Sequence, residues 1–373
     1  MAANLTDVAI KARMFIKWGI IMAIVALILR ITWFVGVMVY KKANPPKPPP
    51  PTVAFGRLEP IKFPEKSGSA EGLTYKLETP SGGFPTFPDR MNVYVMPGAS
   101  TSLFSLDESV EKAKALGFDV KPVQLSETIY RFNNNVVPSS LEINILTGVF
   151  TSNYNLAFDP TPTLERPPDR ELATNRLLSI FKGAQVLPTD INEEKAMHDF
   201  LSVEGQNLVS TISLSEAKLI KVNLFRDDVV LDAKNEEGIS YPSKTANPKE
   251  ANVWAILSGG NSIQKTIIAS KFFYFPVDYE KFETYPIINA QMAWDELQKG
   301  NAFIANRGLK AAGDVVVRNI YLAYFDPASV SQYYQPIVVF EGDNDFVAYV
   351  PAVTFEYYGG VEEEGAPAGE AGS

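Results

Sequence analysis

The chain has no cysteine and a single histidine, His198. The first absence removes disulfides, thiol nucleophiles and cysteine-held metals together. The second all but removes histidine-rich zinc sites and Ser-His-Asp schemes. Positive charge is scarce over most of the length. Residues 1–47 hold seven of the 34 basic residues and one of the 43 acidic ones, so the remainder carries 27 basic against 42 acidic groups, net −15. Such a surface repels phosphate backbones, which argues against a nucleic-acid partner and favours basic or neutral ones.

Long apolar runs are also rare, with one exception. Trp18–Tyr40 reads WGIIMAIVALILRITWFVGVMVY, with a single charge, Arg30. As a helix it extends roughly 34 Å, enough to cross a hydrocarbon core of about 30 Å. Its twelve Ile, Leu, Val and Phe residues contribute roughly −4 to −7 kcal/mol to insertion, against about +2.5 to +3.5 for a central Arg. Insertion wins, so the lipid bilayer is the first partner the sequence calls for. Two readings of Arg30 stand side by side. It pairs with an acidic residue of a partner helix, or it snorkels toward an interface. The run ends in Arg30 and a second apolar segment rather than a small-x-small cleavage site, which favours an uncleaved signal anchor over a removed signal peptide. Lys11, Arg13 and Lys17 precede the span, and Lys41, Lys42 and Lys47 follow it. The positive-inside count is nearly tied. The short leader is no domain, so the acidic mass is expected outside the cell membrane.

Ala43–Thr52 (ANPPKPPPPT) reads as a stiff polyproline rod of roughly 30 Å. Val53–Pro64 then reads as an extended strap lying on the first folded segment. The expected organisation is a cytoplasmic leader (1–17), a membrane helix (18–40), a stalk and strap (41–64), three α+β units (65–160, 161–285, 286–358) and an acidic disordered tail (359–373).

The three units rest on one recurring order, a helix followed by antiparallel strands. Ser105–Gly117, Asp169–Phe181 and Asn289–Lys299 have helical spacing with Ser, Asp or Asn at the start, and Gly117 and Gly300 stop the first and third. Strands are expected at Tyr75–Leu77, Asn92–Met96, Thr128–Phe132, Leu141–Leu146, Val149–Tyr154, Leu208–Leu214, Leu219–Phe225, Val229–Asp232, Val253–Leu257, Thr266–Phe275, Val315–Phe325, Pro336–Phe340 and Phe346–Val353. The fold class is therefore α+β, each helix covering the apolar face of a sheet.

The last unit carries a resemblance. AWDELQKGNAFI (Ala293–Ile304), IYLAYFD (Ile320–Asp326), YYQPIVVFEGD (Tyr333–Asp343) and FVAYVPAV (Phe346–Val353) resemble the closing domain of YycH/YycI-type proteins, whose domains are similar to PepSY modules. The match is clearest over 290–353. It implies a single-anchor extracytoplasmic protein of the bacterial cell envelope, built from helix-plus-meander units and acting through contacts with a membrane protein.

No catalytic residue, metal ligand or cofactor site is assigned. Glu341, Asp343 and Asp345 suggest calcium, but strand residues follow at once where a calcium loop needs further donors; a hairpin turn is the better reading. His198 beside Asp199 suggests a base and its orienter. Neighbours on a helix do not face one another, and a surface histidine is expected. Ser258–Asn261 lacks the lysine and following helix of a phosphate loop and reads as a turn. The best binding candidates are aromatic: Phe272, Phe273, Tyr274 and Phe275, with Tyr333 and Tyr334. Strand core is the competing reading, and a groove or edge for a protein or glycan is the functional one. The function read from the sequence is a non-enzymatic, membrane-anchored binding protein. An envelope hydrolase with paired carboxylates and a structural envelope subunit are the alternatives.

Overall fold

The computed structural model describes residues 5–43, 50–65, 71–98, 105–231, 238–260, 262–309 and 313–359. Most of the polyproline stalk and of the acidic tail lies outside the described residues. The chain divides into two compact units at Pro50/Pro51.

The first unit is one helix, α1 (Leu5–Ala43), of 39 residues. Its segment Ala12–Tyr40 is long and apolar enough to cross a membrane. The helix outruns the 18–40 expectation at both ends, because the flanking residues include no helix breaker until Pro45.

The second unit is mixed α+β and mostly sheet. Its largest element is a nine-stranded antiparallel sheet in the order Val123–Gln124, Ile129–Asn133, Ser139–Asn144, Phe150–Tyr154, Ile267–Phe272, Val253–Leu257, Leu219–Leu224, Met197–Glu204, Asn207–Ser210. Strands from the segments 65–160 and 161–285 thus share one sheet. The seam is the pairing of Phe150–Tyr154 with Ile267–Phe272, where Phe150 lies opposite Phe272 and their rings stack at 4.8 Å.

Helices α2 (Ser105–Ala115) and α3 (Arg170–Gly183) contribute to the core on one face of this sheet. α2 has acids in its first turn and lysines in its last, matching the helix dipole. In α3 the Asp169 carboxylate caps the helix by accepting from the Leu172 amide at 2.8 Å. The core between them gathers Leu116, Phe132, Leu177, Phe181, Val222 and Phe272. Burying each such side chain stabilises the fold by about 1.5–3 kcal/mol.

The second sheet has six strands. Leu73–Leu77, Gly313–Phe325, Pro336–Gly342, Phe346–Pro351 and Phe303–Asn306 follow in that order, and Ser243–Lys244 pairs with the far end of Gly313–Phe325. Both Leu73–Leu77 and Ser243–Lys244 pair in parallel. A very short helix, α4 (Ile263–Thr266), precedes the seam strand. Helix α5 (Ala290–Lys299) packs Trp294 and Leu297 into the core of the six-stranded sheet. Asn289 caps it and Gly300 closes it at φ +82°. Met292 of this helix is 42% exposed. A three-stranded sheet sets Arg90–Val95 between Asp278–Pro286 and Tyr333–Tyr334.

The strap does not lie chiefly on the first segment. Leu58 is fully buried with Val93, Tyr285 and Val353, and bridges to Tyr358; Phe63 stacks on Phe303 at 4.5 Å. Apart from Val93 these partners belong to the 161–285 and 286–358 segments. The cause is the pairing of Arg90–Val95 with Asp278–Pro286 and the bridge from Ile287 to Val353, which bring Val93, Tyr285 and Val353 together as the apolar surface that takes Leu58.

Candidate functional site

Two neighbourhoods gather polar chemistry in the second unit. The first is a junction around Arg226, just after the strand Leu219–Leu224. Its side chain is 1% exposed. Nε donates to Asp326 Oδ1 at 3.1 Å, Nη2 donates to the Phe275 carbonyl at 2.8 Å, and Nη1 donates to Asp190 Oδ2. The guanidinium also lies 4.5 Å from the Tyr274 ring centre and 5.6 Å from that of Tyr334. Asp190 accepts from the Tyr274 hydroxyl at 2.8 Å and from Tyr279 at 3.1 Å. Burial alone would lower the Arg226 pKa, but Asp326 foremost, with Tyr334 and Asp190, drives it well above its ordinary value. Burial raises Tyr274 and Tyr279 above the ordinary phenol range, so both remain donors. The junction is fully bonded, and its chemistry is that of a structural clasp.

The aromatic candidates resolve against this junction. Phe272 is 5% exposed inside the core, and Tyr334 is fully buried, stacked on Tyr324 at 5.2 Å. Neither forms an exposed face, so the expected aromatic surface is corrected at these two positions. The reason is the seam pairing, which turns Phe272 inward against Phe150. Tyr274 and Phe275 are half-buried and serve Arg226. Phe273 is half-buried beside Lys271, 5.1 Å from its ring centre. Tyr333 stacks on Phe55 of the strap at 5.0 Å. Arg30 belongs to α1, in the other compact unit, and is exposed along that helix.

The carboxylates weighed for calcium are engaged in ion pairs. Asp343 pairs with Arg318, Asp345 with Lys249, and Glu341 with Lys244. The glycine turn at Ser258 is a packing device: a Cβ on Gly259 would stand 2.0 Å from the Arg166 carbonyl oxygen.

The second neighbourhood is a groove of about 750 Å³ at the N-terminal end of α3, lined by Arg170, Glu171, His198, Asp199, Phe200 and Ile212 among others. His198 lies on the strand Met197–Glu204, not on a helix or free on the surface. It is half-buried, with Nε2 at 2.8 Å from the Thr174 hydroxyl of α3. Burial first, then the Arg170 charge, lowers its pKa. Successive strand residues face opposite ways, and the register sets His198 against Val222 and Asp199 against Lys221. Asp199 is thus no orienter for His198.

One lip of this groove is Ser210, Thr211, Ile212 and Leu214, at the end of the edge strand Asn207–Ser210 and just beyond it; all four residues of that strand are exposed. Leu208 and Val209 stand 36% and 38% exposed, and beyond them Ile212 is fully exposed and Leu214 is 63% exposed. Residues 205–215 carry no charge and no proline. The opposite edge, Val123–Gln124, is two residues long and follows Lys121 and Pro122. Short length, lysine and proline are the usual ways of blunting an edge. One edge has these guards and the other does not. The strand is expected from the sequence at Leu208–Leu214, but its place at an edge depends on which distant strands pair. The signal was an uncharged, β-prone stretch of eleven residues, 205–215.

No protein-family model matches the chain, and no curated protein matches it. Among solved structures it is similar to an uncharacterized protein from Eubacterium rectale ATCC 33656, at 16% identity and a TM-score of 0.40, over 76% of this chain and 90% of that one.

Proposed function

We propose that this chain is a single-pass, membrane-anchored binding protein of the bacterial cell envelope, with its acidic body outside the membrane and no catalytic role. In this reading the body captures an extended segment of a partner protein at the strand Asn207–Ser210. The observation that carries it is the unguarded edge with Leu208, Val209, Ile212 and Leu214 exposed beside the His198 groove. An added strand satisfies the free backbone groups, and alternate side chains find the groove. The net −15 of the remainder opposes self-pairing of two bodies and favours a neutral or basic partner. The helix-then-strands order seen at α2, α3 and α5 supports assigning the body to PepSY-like, YycH/YycI-like units.

A photo-crosslinking residue placed at Ile212 of the full chain in intact cells tests this. Adducts of one defined mass at Ile212, lost with Leu208→Lys and absent with the probe at Val123, are expected. Equal labelling at both edges, or none, rejects the docking edge. An adduct of twice the chain mass identifies a second copy instead. Protease added to intact cells should digest the body, and full protection until lysis reverses the orientation. Turnover of an envelope substrate abolished by Asp199→Asn would favour the hydrolase reading.

A further inference from the structure

The charge in α1 selects the helix that packs beside it. Gly19, Ala23, Ala26 and Arg30 fall within about 60° of arc at 100° per residue, so three small side chains and the one charge of the apolar span share a face. Arg30 has no ion-pair or hydrogen-bond partner among the described residues, and none of the span is buried in the chain. It lies about 15 Å of helix from Tyr40 and about 18 Å from Trp18.

Sliding the helix does not relieve it. Moving Arg30 to the Tyr40-side interface draws residues 10–29 into a core of about 30 Å, and Lys11, Arg13 and Lys17 come with them. Sliding the other way draws in residues 31–50, with Lys41, Lys42, Lys47 and five prolines. The first move leaves Lys11 and Arg13 within snorkelling reach of the far interface but buries Lys17 in place of Arg30, and the second buries Lys41 and Lys42 together with the prolines, so neither removes charge from the hydrocarbon.

We infer that the Gly19–Ala23–Ala26–Arg30 face packs against a transmembrane helix of another protein that carries an Asp or Glu at the depth of Arg30. This rests on the membrane-anchored reading proposed above. Small residues let two backbones approach closely, and an intramembrane cation then finds its carboxylate. A second copy of this chain does not fit, because symmetric pairing on this face sets Arg30 against Arg30.

The test uses the full chain in phosphatidylcholine vesicles at pH 8. The probes are two synthetic Leu/Ala transmembrane peptides, one with a single central Asp and one with Leu there, and energy transfer reports capture. The wild-type chain should take the Asp peptide at least tenfold more tightly than the Leu peptide. Arg30→Leu should erase that preference. Gly19→Leu and Ala23→Leu should weaken capture several-fold, while Thr32→Leu on the opposite face leaves it unchanged. Equal capture of both peptides, a preference that survives Arg30→Leu, or self-pairing tighter than capture of the Asp peptide overturns the inference. Release of the chain by an alkaline carbonate wash overturns the anchored reading, and this inference with it. A retained chain without the preference overturns the pairing alone.

Discussion

Arg226 and Asp326, 100 positions apart in the chain, form a buried ion pair with Nε 3.1 Å from Oδ1. Arg226 follows a strand of the nine-stranded sheet and Asp326 follows the longest strand of the six-stranded sheet. Removing the cation leaves Asp326 and Asp190 buried without it, which costs about 3–5 kcal/mol. Arg226→Met should therefore lower the urea midpoint of the body strongly. Adding Asp190→Asn and Asp326→Asn to Arg226→Met should restore part of the loss. A single-variant loss below about 1 kcal/mol, typical of an exposed pair, would show that the junction is solvated.

Acid should loosen the corner built on Asp159. Its carboxylate accepts from the Tyr154 hydroxyl at 2.6 Å, the Thr161 amide at 3.0 Å and Lys265 at 2.9 Å. The Tyr154 bond first, then those to Thr161 and Lys265, hold its pKa below the usual carboxylate range. A depressed acid contributes stability that is fully present above its unfolded value of about 3.9 and lost as pH falls through the folded value. The Tm difference between wild type and Asp159→Asn should be largest above about pH 5 and shrink below about pH 4. A difference independent of pH would contradict this.

His198 should titrate below the ordinary imidazole value of about 6.5. Burial and Arg170 both disfavour its charged form. As pH falls from about 6.5 toward the folded value, the unfolded chain takes up the proton first and stability declines. NMR titration of the single imidazole reads this directly. Arg170→Leu should move the midpoint back upward. A wild-type midpoint at or above 6.5 would mean that the groove is wetter than its packing on Thr174 implies.

Gly259 should tolerate no side chain. Its missing Cβ faces the Arg166 carbonyl oxygen at 2.0 Å, whereas at Gly260 the nearest atom is Ser258 Oγ at 3.5 Å. Forcing a methyl group into such a contact costs about 1–3 kcal/mol or more. Gly259→Ala should lower the Tm measurably, and Gly260→Ala should change it little. Equal effects would place the cause in backbone entropy rather than in close approach.

Local chemistry made much of the fold legible. The caps Asp169 and Asn289 and the stop at Gly300 act within one turn of helix, so they mark α3 and α5 to within a residue or two. The strand Val253–Leu257 occurs with the bounds its apolar run implies. Met197–Glu204 was not legible, because His198 and Asp199 interrupt its alternation, and it becomes a strand through its pairing with Leu219–Leu224. The parallel pairing of Leu73–Leu77 with Gly313–Phe325 spans some 240 residues and leaves no local turn signal. Of the site, the aromatic density at Phe272–Phe275 was visible, but which rings would be buried was not.

The sequence by itself determined the apolar span Trp18–Tyr40 with its one charge, the acidic and cysteine-free body, and the helix starts and stops, because each depends on composition or on neighbours a few residues apart. The tertiary structure alone decided that Phe272 and Tyr334 are core, that Arg226 meets Asp190 and Asp326, and that Asn207–Ser210 is left as an open edge. Those outcomes depend on which distant strands pair, and the cooperative burial of a whole sheet face settles that choice.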